Sequence, residues 1–82
     1  MDSHPQETAS LGFDELRQQL AVLVDASDTL RAHLEAERDL AARRGDRSAA
    51  RALERGLLQV TRVRNDVHCA CHELDAAHPA AA

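Results

Sequence analysis

Apolar residues recur at intervals of three and four along two stretches of this chain, each about thirty residues long. In a helix, this spacing places the apolar side chains in one stripe, and it is typical of the contacts between helices in coiled coils. Residues that favour strands are scarce, because the 82 residues include no Ile, Trp or Tyr and a single Phe. The sequence therefore predicts an all-α fold.

The first stripe predicts a helix over residues 12–44. Two carboxylates, Asp14 and Glu15, fall in its first turn, where the positive end of the helix dipole favours them. Arg43 lies in the last turn, and Gly45 beyond it can adopt the left-handed conformation that ends many helices. The positions predicted to contact a second helix, which we term the seam, are Phe13, Leu16, Leu20, Leu23, Ser27, Leu30, Leu34, Glu37 and Ala41.

The second stripe predicts a helix over residues 47–75, with Asp46 or Ser48 as its N-cap. The turn between the helices, at residues 45–46, is short, and such a connection brings consecutive helices back alongside each other. The sequence therefore predicts an antiparallel two-helix hairpin with coiled-coil-like contacts. The seam positions of the second helix are Ala50, Leu53, Leu57, Val60, Arg64, Val67, Cys71 and Leu74.

The segments outside the hairpin lack this periodicity. Residues 1–10 are polar and contain Pro5, and we expect them to form a disordered leader. Residues 76–82 contain Pro79, which stops a helix, and we expect a flexible tail there. One domain, over residues 11–75, is therefore predicted.

Charge is distributed unevenly along the chain. Residues 1–42 carry three Arg against nine acidic residues, whereas residues 43–64 carry seven Arg against two. This asymmetry favours pairing between the two halves. The net charge of −4 and the lack of aromatic residues among the arginines argue against a nucleic-acid partner. The arginines that recur at mostly helical spacing, as a phosphate-binding stripe would, are Arg44, Arg47, Arg51, Arg55 and Arg62.

Five apolar residues lie outside the predicted seams. A seam between only two helices barely offsets the lost conformational entropy, which is about 1–2 kcal/mol per ordered residue. We therefore expect these residues to bind a partner protein that completes a larger bundle. The alternatives are scattered surface residues, or a homodimer in which two hairpins form a four-helix bundle. The five residues are Val22, Val24, Leu40, Leu58 and Val63.

One cluster carries residue types that bind metals. His68, Cys71 and His72 are spaced three and four apart, so they lie on one side of a helix and are candidate ligands for Zn²⁺ or Cu⁺. Cys71 is also a seam position, where a free Cys packs as a small apolar residue. We expect no metal and no cofactor, with a metal-responsive helical regulator as the alternative.

No arrangement typical of an enzyme is present in the sequence. The chain has no Gly-rich phosphate loop and no GxSxG motif, and a Cys69–His72 pair would lack a third group to orient the histidine. No apolar run approaches the 18 residues of a membrane span, and the N-terminal residues do not resemble a signal peptide. We therefore expect a non-enzymatic cytoplasmic protein that keeps Cys69 and Cys71 reduced.

The residues around the turn resemble a known family. Leu30-x-x-x-Leu34, followed by the Ala-Ala-Arg-Arg-Gly-Asp segment at 41–46 and a second helix of similar length, is similar to the co-chaperones of the bacterial type III secretion needle subunit. The segment at 51–57 also resembles a segment of this YscE/PscE-like family, although in this chain it lies about one heptad closer to the turn. The resemblance covers residues 13–75.

What the resemblance implies is a binding role. Members of the family are short helical hairpins without enzymatic activity. Each pairs with a TPR-type chaperone, and together they hold the needle subunit monomeric in the cytosol. The resemblance therefore implies that this chain stabilises a TPR-type chaperone and reaches a needle subunit through it.

Overall fold

The computed structural model of the protein describes residues 12–77, which form a hairpin of two α-helices. Helix α1 spans Phe13–Arg43 and helix α2 spans Arg47–Ala77, each with 31 residues. Within the described stretch there is no strand, and the predicted all-α hairpin is confirmed. The predicted tail begins later than expected, because Ala76 and Ala77 belong to α2. The predicted leader and residues 78–82 lie outside the described residues.

The turn is a Schellman motif closed by Gly45. Gly45 has a φ of 79°, the left-handed conformation that L side chains rarely adopt. Its N–H donates to the Ala42 carbonyl at 3.0 Å, and the Asp46 N–H donates to the Ala41 carbonyl at 2.9 Å. The Asp46 carboxylate then accepts a hydrogen bond from the Ala49 N–H at 3.1 Å. Asp46 is therefore the N-cap of α2, and one short segment both ends α1 and begins α2.

The α2 side of the seam consists of the residues that its heptad pattern indicates. Leu57 is buried, and the other seven predicted positions, from Ala50 to Leu74, are half-buried. The polar Arg64 is one of them. Its Nε donates to the Asp28 carboxylate across the seam at 3.1 Å.

The α1 side of the seam differs from the prediction along one of its two rows. Leu20, Ser27 and Leu34 are half-buried, and Ala41 is buried. The other row, which we term the outer row, consists of Leu16, Leu23, Leu30 and Glu37, and all of these except the half-buried Leu16 are exposed. Phe13, which begins the first row, is also exposed.

Three arginines and a valine replace this outer row in the seam. Arg17, Val24, Arg31 and Arg38, each one residue after a predicted position, are half-buried. Helix α1 is therefore rotated about its axis relative to the prediction. The physical reason is that an arginine covers a neighbouring helix with its aliphatic stem and still carries its guanidinium group to a polar partner.

Polar contacts between the helices set the register of the hairpin. Arg17 Nη1 lies 2.8 Å from an Asp75 carboxylate oxygen, and Arg38 Nη1 lies 3.0 Å from one of Glu54. Arg31 Nε donates to the Thr61 hydroxyl at 3.0 Å. In each pair the two residues are equally far from Asp46 along the chain. These pairs therefore define one antiparallel register from the turn to the open end.

Candidate protein-interaction surface

One long side of the hairpin carries these polar contacts between the helices, and we term it the charged face. It is formed by Arg17, Arg31 and Arg38 of α1 with Glu54 and Asp75 of α2. The carboxylate of Asp75, and then that of Asp14, raises the pKa of Arg17 above its usual value. The carboxylates of Glu54 and then Asp39 raise the pKa of Arg38 in the same way. Each arginine therefore already bonds to carboxylates of its own chain.

The opposite long side is apolar. Leu30, Val60 and Val63 line a shallow open groove between the two helices, together with Ser27 and Gln59. Leu23 lies seven residues before Leu30 and therefore continues the same row of α1. We term this surface, formed by Leu23, Leu30, Val60 and Val63, the apolar face.

The apolar face lies opposite the charged face because of the rotation of α1. The buried row of α1 has Arg31 on one side and Leu30 on the other. Arg31 contacts Thr61 on one side of the hairpin. Leu30 therefore lies on the other side, where it lines a groove with Val63.

The five predicted partner-binding residues do not form one surface. Val63 belongs to the apolar face, whereas Val24 is half-buried in the seam and Leu40 is half-buried near the turn. Leu58 is exposed beside the charged face, between Glu54 and Thr61 on the same helix. Val22 is exposed on α1, where it lines a shallow depression with Gln18, Gln19 and Leu23.

Leu23 and Leu30 are the residues of the apolar face that the sequence prediction missed. Their apolar spacing assigned them to the seam, but both lie about half exposed. The arginines one residue later were the available signal. A row of arginines at heptad spacing, opposite acids at matching distances from the turn, marks a row that faces the other helix.

Very little of the hairpin is shielded from solvent. Among residues 12–77 only Ala41 and Leu57 are buried, with 7% and 8% of their surface exposed. A core residue of a folded domain normally contacts many others on all sides. Six large apolar side chains in the described stretch are exposed. They are Phe13, Val22, Leu23, Leu30, Leu58 and Val63.

The candidate metal ligands lie near the open end of α2. The rings of His68 and His72 meet edge to face, with centroids 4.8 Å apart. Cys71 is half-buried in the seam and Cys69 is exposed, and both are free thiols. Within residues 12–77, no three His, Cys, Asp or Glu side chains are grouped so that they could hold one metal ion.

Comparison of the chain with protein-family models, curated proteins and solved structures gives no match. In the stretch from 12 to 77, neither helix combines the length and the apolarity needed to cross a membrane.

Proposed function

We propose that this chain is a non-enzymatic interaction module whose apolar face binds another protein. The observation that carries the proposal is the near absence of buried residues: only Ala41 and Leu57 in the described stretch. A partner that covers Leu23, Leu30 and Val63 would remove apolar surface from water. Each of these side chains is already about half shielded, so its burial contributes about half of the roughly 1.5–3 kcal/mol that a fully exposed side chain would give.

The partner that we propose follows from the family resemblance. It is a TPR-type chaperone that holds a type III secretion needle subunit in the cytosol, with this chain as a co-chaperone. Two features support the proposal: the short antiparallel hairpin, and an apolar face left open along its length. The charged face is unsuited to an apolar contact, because its ion pairs would have to lose water when covered.

Co-expression tests this proposal directly. The chain is produced alone, and with the TPR-type chaperone and needle subunit encoded in the same genome, and thermal unfolding is followed by circular dichroism. Partner at 100 times its Kd adds about 2.7 kcal/mol of stability. For a chain of this size we therefore expect the melting temperature to rise by about 10–20 °C.

Two matched substitutions locate the contact. Leu30→Glu on the apolar face should abolish co-purification with the chaperone, because it places a charge in an apolar contact. Leu58→Glu, beside the charged face, should leave it intact. An isolated monomer that unfolds cooperatively above about 60 °C, or equal loss of binding in both variants, would contradict the proposal.

A further inference from the structure

The apolar face lies at the middle of the hairpin. Leu30 and Val63 are close to the midpoints of Phe13–Arg43 and Arg47–Ala77, the two helices that line the groove. Two identical surfaces related by a two-fold axis must match each other after rotation. A patch at the middle of the hairpin meets this requirement for an axis that crosses the hairpin at half its length.

The charges of the hairpin are divided between its two ends. The half nearest the turn, residues 31–61, has seven Arg against five acidic residues, which gives +2. The open half, residues 12–30 and 62–77, has three Arg against seven acidic residues, which gives −4. Two hairpins with their turns at opposite ends would therefore set a positive half against a negative one, whereas turns at the same end would set like charges together.

The side of the hairpin that carries the apolar face is also large enough for a stable contact between two copies. A 31-residue helix is about 46 Å long, and two adjacent helices are about 20 Å wide. A contact along this whole side of the hairpin would cover at most about 900 Å² on each copy, or about 1,800 Å² in total. Stable interfaces between proteins bury about 1,200–2,000 Å².

From these features we infer that the chain, in the absence of another partner, pairs with a second copy of itself through the apolar face, with the two turns at opposite ends. The product is an antiparallel four-helix bundle with Leu23, Leu30 and Val63 in its interior. This goes beyond the proposed function, because it describes the chain before its partner arrives. Since both contacts use the apolar face, self-pairing and partner binding exclude each other.

Sedimentation of the isolated full chain tests the pairing. At about 100 μM, a concentration at which dimers of micromolar or tighter Kd are mostly formed, we expect about 18 kDa, twice the 9.0 kDa of one chain. Val63→Glu should weaken the dimer by about 100-fold or more, because it buries an unpaired charge. Leu58→Glu is the matched control, because Leu58 and Val63 are similarly exposed, at 63% and 54%, and it should remain a dimer.

Two results would overturn the inference. One is a wild-type chain that is monomeric at this concentration, and the other is equal weakening of the dimer by Val63→Glu and Leu58→Glu. Circular dichroism of both variants confirms that each is still helical. A monomeric wild-type chain that still binds a TPR-type chaperone would refute the self-pairing alone, whereas a dimer that never binds one would refute only the proposed function.

Distances between spin labels in the dimer test whether the two turns lie at opposite ends. Arg44→Cys, in a chain with Cys69→Ser and Cys71→Ala, places one label at each turn. Turns at opposite ends put the two labels about 45 Å apart, the length of one helix. A separation below about 20 Å would mean that the turns lie together, and would overturn the inference.

Discussion

Gly45 is the residue on which the reversal of the chain depends most directly. Its φ of 79° lies in a region where any other side chain is strained, and its N–H and that of Asp46 satisfy two carbonyls at the end of α1. No atom other than those of its chain neighbours lies within 4 Å of where a Cβ would be. The requirement for glycine is therefore one of backbone conformation and not of space.

Gly45→Ala should destabilise the chain by about 1–2 kcal/mol, because it forces an alanine into the left-handed region. Gly56 provides the matched control, since it lies inside α2, has no positive φ, and would also meet nothing with an added Cβ. Gly56→Ala should stabilise by about 0.5–1 kcal/mol through helix propensity. Urea unfolding of the three proteins measures both changes. Destabilisation by Gly56→Ala, or no effect of Gly45→Ala, would contradict this account of the turn.

At the scale of the element, the two helices differ in how well their patterns indicate the contact. In α2 every predicted seam position is half-buried or buried, because apolar residues at heptad spacing there coincide with the contact. In α1 the apolar row of Leu23 and Leu30 competes with the row of Arg31 and Arg38, and the arginines face α2. An analysis of apolar periodicity counts arginine as a surface residue, so it could not predict that the arginine row of α1 faces α2.

The same limit explains what was and was not predictable about the candidate site. The hairpin, its turn and the excess of apolar surface follow from the spacing of the apolar residues and from the helix-ending and helix-capping residues at the turn. The location of the apolar face depends on the rotation of α1, and that rotation is set by hydrogen bonds such as the one between Arg31 and Thr61. Such bonds join residues far apart in sequence, so no local pattern reports them.

Two valines in α1 test this rotation. Val24 is half-buried in the seam, whereas Val22, two residues earlier in the same helix, is exposed. Val24→Ala should therefore destabilise by about 1 kcal/mol, because it removes methyl groups that are shielded by α2. Val22→Ala should change stability by less than about 0.5 kcal/mol. Chemical unfolding at a fixed protein concentration compares them, and equal effects would mean that α1 does not have this orientation.

At the scale of the whole molecule, burial is concentrated toward the turn. Both buried residues of the described stretch, Ala41 and Leu57, lie in the half of the hairpin that contains Gly45. The open half carries most of the acidic excess and has no buried residue among those described. The hairpin is therefore held most firmly at its closed end, and the open end is where added contacts would stabilise it most.

Hydrogen exchange under native conditions should show this gradient. We expect backbone amides of residues 34–57 to exchange more slowly than those of residues 16–24 and 68–77, because local opening is easiest where few apolar contacts are lost. The monomeric Val63→Glu variant isolates the hairpin from any contact between copies, and wild type at high concentration adds that contact. Protection gained by wild type should centre on Leu23, Leu30 and the residues around Val63. If protection were uniform in the monomer, the turn half would not be the stable part of the hairpin.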